Sequence, residues 1–502
     1  MKHIINKISA VIVMGSMLFS SCTKDFTATN TDPNGTPTAL PQQLMAPALV
    51  GTLGYNMLRN RNFNNELMQV TVDASDAEGK VFRYDYRATW ADYLYNGLYS
   101  ELTNFKDMYK VASQPLNYNK SYMGISVICQ SWVYSILTDT YGDIPYFHSN
   151  EARDSAIYEP AFDAQKDIYM DIFNKLDSAN TWLSAGTAIN GGGDPVYGGV
   201  VANWRKFGNS LYLRLLLRVS GKSEMTEFCK AKIRQIVETT TYPIMASNAE
   251  SAILRWTGVG PLTSPYIGVR EQDFRSPGIA SFFIDNLSSW NDPRIDIPTY
   301  GTSSINRWGI APYSGSYQGI PSGYAPGENP VKKCYFYSNT SAVSLMTEPM
   351  TGMMMNYAEV KFILAEAAIR GWITGSAETY YNDGALNSIT LWLPNYAVPI
   401  KDFLTAADIE WDDKLSFEDK MERIHKQKYY ALFLTDMQQW FEYRRTGHPY
   451  LPKGAGLKNG GVMPARMTYP VYVQSTNPTN YKLAVARQGA DQISTQVWWQ
   501  KP

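Results

Sequence analysis

Apolar residues recur at helical spacing along most of the chain. In the stretch 163–183 they step by four, four, three and four positions, at Ile168, Ile172, Leu176, Ala179 and Leu183. This is the spacing of an amphipathic helix. Comparable segments lie at about 88–111, 121–140, 201–219, 226–238, 354–370, 377–393 and 416–443. Neighbouring segments flank Pro or Gly, as the helices of a hairpin do, so the sequence predicts an all-α body of stacked helix pairs.

The helical spacing stops between about residues 242 and 350. This insert combines many Gly, Pro and Ser residues with a high density of Trp and Tyr. A long irregular insert in a compact protein is usually functional. Aromatic rings among turns suit a carbohydrate or peptide platform, because a ring offers an apolar face beside a polar edge. The predicted ligand contacts in the insert are Trp290, Trp308, Tyr313, Tyr317 and Tyr324.

A second group of candidates lies in the polar loop before Trp90. We expect the opposite wall of the ligand site to be lined from this loop, by Phe82, Arg83, Tyr84 and Tyr86. The alternative is that each ring covers the helical body and anchors a loop, which is the commoner role of a single aromatic residue. The tryptophans at helical spacing are assigned to the core: Trp90, Trp132, Trp204 and Trp440.

The N-terminal segment has the form of a bacterial export signal. Lys2 and Lys7 precede an apolar run, and two small serines come directly before Cys22. The residues around the cysteine resemble a lipobox, in which the thiol is acylated and becomes the new N-terminus. The following four residues, 23–26, resemble an export tag for the outer face of the outer membrane. The alternative is an ordinary secretory signal in which Cys22 is incidental.

These features divide the chain into three parts. We expect a signal peptide at 1–21, a lipidated cysteine with an extended tether at 22–41, and a single helical domain at 42–502 that includes the insert. The protein is therefore predicted to be lipid-anchored in the outer membrane and exposed at the cell surface.

Composition narrows the classes of function. The 45 Lys and Arg residues nearly balance the 46 Asp and Glu residues, which argues against a nucleic-acid partner. Three histidines follow the signal, His148, His425 and His448. They are too scattered to propose as metal ligands and are interpreted as surface or capping residues. We assign no metal-ligating residue and expect no cofactor, and the sequence leaves a bound Ca²⁺ open. Cys129 and Cys229 lie in apolar helical segments and are predicted to be buried.

Four short motifs occur in order behind the export signal. They are Tyr-Gly-Asp-Ile-Pro-Tyr at 141–146, Asn-Tyr-Ala-Glu-Val at 356–360, Arg-Arg-Thr-Gly-His-Pro at 444–449 and Pro-Ala-Arg-Met-Thr-Tyr-Pro at 464–470. With these motifs the chain resembles the SusD/RagB family of Bacteroidetes outer-membrane lipoproteins. The Gln427-Lys428 pair and the Arg-Arg-Thr-Gly form are similar to the SusD-like second branch of that family.

The resemblance implies a fold and a function. The fold is a tetratricopeptide-like scaffold of helical pairs, with a loop-rich insert that bears the ligand site. The function is capture of oligosaccharides, or peptides, and their delivery to a SusC-like TonB-dependent outer-membrane transporter. The resemblance also implies that the protein is not an enzyme.

A surface glycoside hydrolase acting through paired carboxylates is the alternative function. Such an enzyme needs two carboxylates about 5–9.5 Å apart, whereas the motif acids Glu359 and Glu366 lie two helical turns, or ~10 Å, apart. We expect these acids to pair with a basic residue of a neighbouring helix, such as Arg444 or Arg445. Arg466 is expected to form an internal contact beside Tyr469.

Overall fold

The computed structural model describes residues 39–75, 77–295 and 306–501. The predicted signal peptide, the lipid attachment at Cys22 and the tether up to residue 38 lie outside the described residues. Pro41–Pro502 forms one compact unit of the chain. Among the described residues, no helix combines the length and apolar character needed to cross a bilayer.

Helices make up most of the regular structure, which confirms the predicted all-α class. In chain order they are α1 (Pro41–Arg59), α2 (Asn65–Leu67), α3 (Trp90–Ala112), α4 (Lys120–Tyr141), α5 (Ala152–Ser155), α6 (Gln165–Leu183), α7 (Val201–Val219), α8 (Thr226–Glu238), α9 (Glu271–Arg275), α10 (Ser281–Ser289), α11 (Tyr357–Ile369), α12 (Ala377–Thr390), α13 (Ile400–Ala406), α14 (Phe417–Ala431), α15 (Gln438–Thr446), α16 (Val473–Thr476) and α17 (Pro478–Gln488). A π-helical segment, Asn60–Asn64, joins α1 to α2.

Short strands tie the loop-rich insert to the rest of the body. The antiparallel pairs in the described chain are β1 (Thr71–Val72) with β3 (Gly278–Ile279), β2 (Ala252–Leu254) with β6 (Gly352–Met355), and β4 (Ile310–Ala311) with β5 (Tyr335–Phe336). The first pair joins the segment after α2 to the start of α10, with Thr71 opposite Ile279. The β1–β3 pair therefore attaches the insert to the segment after α2, the β2–β6 pair joins its beginning to the segment after its end, and the β4–β5 pair lies within it.

Consecutive helices pack against one another as the spacing predicts. Helix α1 packs on α3, α3 on α4, α4 on α6, and α11 on α12. In α6, each apolar residue of the predicted stripe is buried. These contacts make the helical body a stack of neighbouring pairs.

Helix α4 is the buried centre of this body. From residue 121 to its end every residue is buried. Its first turn is capped by the Asn119 side chain, whose oxygen accepts a hydrogen bond from the Ser121 amide at 2.9 Å. The helix ends at Gly142, where φ is +84° and a Cβ atom would lie 1.8 Å from Oε1 of Gln488. The positive φ favours glycine at this position, and a larger residue would also displace the Gln488 side chain.

The structure departs from the sequence prediction at several helices. Helix α10 lies inside the insert that was expected to be irregular, and α1 and α17 were not predicted at all. The expected segment 416–443 is two helices, because the backbone turns between them at Leu434 and Asp436, both with positive φ. Helices α10 and α17 have 9 and 11 residues and leave too few apolar repeats to be recognised. The 19-residue α1 contains Pro47, Gly51 and Gly54, which ordinarily mark turns.

The two motif acids are both held inside the body, but by different arginines. Glu366 accepts hydrogen bonds from Arg445 at 2.8 and 2.6 Å, which confirms the predicted pairing. Glu359 instead accepts two from Arg214, both at 2.6 Å, so the prediction of Arg444 or Arg445 is wrong there. The reason is that α7, which carries Arg214, packs against α11.

Two smaller predictions about the interior are confirmed. The guanidinium of Arg466 lies 4.4 Å from the centre of the Tyr469 ring. Cys129 and Cys229 are buried, and neither forms a disulfide within the described chain. Both observations assign these residues to packing.

Candidate ligand-binding site

A pocket of about 590 Å³ opens at the C-terminal end of α10, and we call it the α10 pocket. Its walls come from the turn after α10, from Tyr317 of the insert and from residues around α13. The rings that line it are Trp290, Tyr317, Tyr396 and Phe403, and its polar groups include Asn291 and Asp402. A mostly apolar pocket of this size with a few polar groups is typical of a small-molecule site.

The end of α10 positions Trp290 at the pocket. Helix α10 forms because three apolar residues of one face pack into the core: Phe283, Ile284 and Leu287. Asn291, which follows Trp290, has a φ of +49°. This is a left-handed conformation that Asn tolerates better than most residues. Trp290 lines the pocket. Only 6% of its surface is exposed, because its ring packs edge-on against that of Tyr430, with the ring centres 5.3 Å apart.

A buried ion pair holds the turn after α10. Arg294 donates from Nε and Nη2 to the two carboxylate oxygens of Asp292, at 2.8 and 2.6 Å. Its Nη1 donates to Oγ of Ser388, in α12, at 2.7 Å. Both charged side chains are almost fully buried. The pocket wall is therefore attached to the helical body through one arginine.

The predicted ligand residues in the insert have different positions. Trp290 and Tyr317 line the α10 pocket, and the Tyr317 hydroxyl donates to the Ile295 carbonyl at 2.8 Å. Tyr313 is 40% exposed but lies outside the pocket lining. Contact of Trp290, Tyr313 and Tyr317 with a ligand stays a prediction.

Trp308 lies inside the core. None of its surface is exposed, and its ring contacts those of Phe283, Trp392 and Phe433 at centre distances of 5.8, 6.0 and 5.0 Å. Its ring presents no face to solvent on which a ligand could stack. The alternative interpretation from the sequence, a ring that anchors the insert on the body, describes this residue.

The candidates in the loop before Trp90 are buried with Tyr324. The ring of Tyr324 stacks on Phe82 at 5.2 Å, and the Arg83 guanidinium lies 4.7 Å from the centre of the same ring. Arg83 also donates to the Tyr324 carbonyl at 3.0 Å. Tyr84 is buried beside them with a left-handed φ of +59°. These side chains join the loop to the insert and do not line the α10 pocket.

Among the pocket residues that sequence reasoning missed are Tyr396, Asp402 and Phe403. They lie in and before α13, a short helix that follows the predicted segment 377–393. The only sequence signal was an aromatic residue in a turn bounded by Pro394 and Pro399. Such a turn is common in loops and does not indicate a ligand by itself.

Three buried side chains elsewhere have the composition of a metal site. Ligand atoms of Glu366, His425 and Glu442 lie within 4.8 Å of one another. Arg445 donates to Glu366 at 2.6 Å and to Glu442 at 2.9 Å, and Lys428 donates to Glu442 at 2.6 Å. These cations already compensate the two carboxylates.

The titration of this cluster follows from its contacts. Burial raises the pKa of Glu366, but the charges and hydrogen bonds of Arg445 and His425 outweigh burial and hold that pKa well below its usual value. Burial lowers the pKa of His425, whose Nε2 lies 3.0 Å from Oε2 of Glu366. The cluster is a compensated structural core, and the prediction that His425 is a surface or capping residue is wrong.

The sequence matches a known family. Residues 33–470 match the model of the second SusD-like family. That family is described as starch-binding and associating with the outer membrane. No curated protein matches the chain.

Solved structures share the fold over nearly the whole chain. A SusD homologue from Bacteroides fragilis is 25% identical, with a TM-score of 0.77 and coverage of 92% of this chain and 100% of that one. A SusD homologue from Bacteroides uniformis is 23% identical, with a TM-score of 0.75 and coverage of 92% and 99%. A chitin-binding SusD homologue from Flavobacterium johnsoniae is 20% identical, with a TM-score of 0.75 and coverage of 92% and 98%. The chain therefore belongs to the SusD-like family of outer-membrane-associated binding proteins.

Proposed function

We propose that this protein binds an oligosaccharide in the α10 pocket at the cell surface and delivers it to a SusC-like TonB-dependent transporter. The observation that carries the proposal is the pocket, in which aromatic rings from three separate segments converge. The family description names starch, and a relative with the same fold is described as chitin-binding. Both favour a glycan over a peptide.

The chemistry of the pocket suits a sugar. The apolar C–H face of a pyranose packs on an aromatic ring, which Trp290 and Tyr396 supply. Hydroxyl groups need acceptors and donors at the edge, which the Asn291 amide and the Asp402 carboxylate supply. Asp402 is exposed, and its carboxylate has no ion-pair partner among the described residues. It is therefore available to accept hydrogen bonds from a ligand.

Binding without catalysis is favoured over the glycosidase alternative. Among the described residues, the carboxylates that line the pocket are Asp292 and Asp402. Both oxygens of Asp292 accept hydrogen bonds from Arg294, so this carboxylate is not free to act as a nucleophile or base. Within the described lining one carboxylate remains, whereas glycoside hydrolysis uses two.

The proposal includes the membrane anchor and the partner. Acylation of Cys22 would hold the protein at the outer membrane through buried acyl chains, each CH₂ contributing about 0.8 kcal/mol. The partner is the SusC-like transporter that the family resemblance implies. Anchoring places the α10 pocket on the same membrane as that transporter.

Calorimetry with ligand recovery tests the proposal. The mature protein is titrated with oligosaccharides of starch and of chitin and with a neutral peptide, and each ligand is then recovered and its length measured. We expect saturable binding of an oligosaccharide that is recovered intact. Shortened products would favour the glycosidase, and the absence of saturable binding to every oligosaccharide would contradict the proposal.

A further inference from the structure

A second pocket, of about 570 Å³, lies between the segment after α1 and the end of α9. We call it the Glu66 pocket, after the acid in α2 that lines it. Other charged groups of its lining are Arg61, Asp73, Glu78, Lys80, Arg87 and Asp273. It lies at the N-terminal side of α10, whereas the α10 pocket lies at the C-terminal end of that helix.

Glu66 is a buried acid without a charged partner. Only 6% of its surface is exposed, and its Oε2 accepts one long hydrogen bond, from the Phe82 amide at 3.3 Å. No cation of the described chain lies within ion-pair distance of its carboxylate. Two other acids of the lining differ, because Asp73 pairs with Lys80 at 2.5 Å and Asp273 pairs with Arg270 at 2.7 Å.

An unpaired buried carboxylate is unfavourable. Removing such a charge from water costs several kcal/mol unless a partner compensates it. Burial, followed by the charge of Asp73, raises the pKa of Glu66 to about 8, although Lys80 and Arg61 act in the opposite direction. In the empty pocket near neutral pH the group is therefore mostly protonated. It lines a space large enough for a ligand.

We propose that the Glu66 pocket binds a ligand that carries a protonated amine, and that the Glu66 carboxylate receives the amine. An ammonium group supplies the charge and the hydrogen-bond donors that the protein does not supply. With Glu66 ionised, the lining holds four acidic and three basic side chains. Lys80 is already paired with Asp73, and Arg61 donates to the Asp273 carbonyl at 3.3 Å. An acetylated amine or an anion lacks the charge that this site selects.

Binding of an ammonium includes the release of a proton. The carboxyl of Glu66 gives its proton to solvent, and the carboxylate then forms an ion pair with the ligand, whose own protons stay in place. The apparent affinity is the intrinsic affinity reduced by the fraction of Glu66 that is ionised. Between about pH 6.5 and pH 8 that fraction rises more than about tenfold for a pKa of about 8.

Two pairs of probes test the proposal and distinguish the source of the amine. The first pair is a blocked tripeptide with one lysine and the same peptide with that lysine acetylated. The second pair is a glucosamine oligomer and the N-acetylglucosamine oligomer of equal length, compared at about pH 7. We expect the amine form of at least one pair to bind the mature protein and the acetylated form not to bind.

The pH dependence and two variants complete the test. We expect lysine-peptide affinity to rise at least about tenfold from pH 6.5 to 8. In buffers of different ionisation enthalpy, about one proton per complex should be released near pH 6.5 and about half a proton at pH 8. Glu66→Gln should lose both effects, whereas Glu159→Gln, at an exposed acid outside the pocket lining, should keep them. Equal binding of acetylated probes, binding of neither amine, or binding to the wild type without proton release would overturn the proposal. Proton release is measured on the wild type, so this measurement tests the proposal even if Glu66→Gln fails to fold.

Discussion

The guanidinium of Arg294 lies 4.9 Å from the centre of the Trp308 ring, and both side chains are fully buried. The same guanidinium binds both oxygens of Asp292 in the wall of the α10 pocket. Arg294 thus connects the pocket wall to the aromatic core beneath it. The shape of the pocket depends on residues that never reach its surface.

Loss of the Asp292 charge should destabilise the protein. Asp292→Asn leaves the Arg294 guanidinium buried without its counter-ion, and breaking a buried ion pair from one side costs about 3–5 kcal/mol. Denaturant unfolding of the two proteins measures this difference. Asp402→Asn is the matched control, because it changes an exposed acid of the same pocket and should stay within about 0.5 kcal/mol of the wild type. Equal stability of both variants would contradict a structural role for the pair.

Trp308 and Tyr313 should respond differently to truncation. Trp308→Ala leaves a cavity among buried rings and should cost about 3–5 kcal/mol of unfolding free energy. Tyr313→Ala removes a ring that is 40% exposed and should cost less than about 1 kcal/mol. Thermal unfolding of both variants checks the contrast. A Trp308→Ala protein as stable as Tyr313→Ala would show that the ring is not part of the core.

The aromatic residues of the insert show what the sequence could not reveal about the site. Trp290, Trp308 and Tyr324 stand in the same turn-rich insert, and composition cannot tell which ring faces solvent. In a helix the 3.6-residue period assigns a face to each residue, but an irregular loop has no period. Residues at 396–406 were missed because they join the pocket only through the tertiary fold. The fold class and most long helices were predictable because their buried stripes are regular.

The partners of the motif acids show the same limit. Spacing on α11 places Glu359 and Glu366 on one face, and this was readable from sequence. Which neighbouring helix approaches each acid depends on packing, so only the Arg445 partner was predicted correctly. The left-handed residue Asp436, which separates α14 from α15, carries no glycine signal and was missed for that reason.

Stability should depend on the protonation of His448. Burial lowers the pKa of His448, but hydrogen bonds and charges from Glu422 and Glu418 outweigh burial and raise it above its usual value. The Nδ1 and Nε2 atoms lie 2.9 and 3.2 Å from these carboxylates. A raised folded-state pKa contributes stability that is complete below about pH 6.5 and is lost as pH rises through the folded value.

The measurement is the unfolding temperature of wild type and His448→Gln at about pH 6 and pH 9. We expect the wild type to exceed the variant by a larger margin at the lower pH. A margin for His448→Gln that does not change with pH would contradict this assignment.

Cys22 should be required for membrane association. Cys22→Ser removes the thiol that carries the proposed acyl chains, so the protein should no longer incorporate a labelled fatty acid or sediment with membranes. Cys129→Ala, which changes a buried cysteine of α4, should keep both properties. If Cys22→Ser still incorporated the labelled fatty acid, the acyl chain would be attached to another residue and this assignment would be wrong.

The central claim is that a glycan occupies the α10 pocket, and the most direct test is to fill that pocket. Ala406 lines the pocket and is exposed, whereas Ala397 is exposed nearby in sequence but does not line it. Calorimetric titration with the oligosaccharide that binds the wild type should show at least about tenfold weaker affinity, or about 1.4 kcal/mol, for Ala406→Trp and no change for Ala397→Trp. Unchanged affinity of a folded Ala406→Trp protein would contradict the claim.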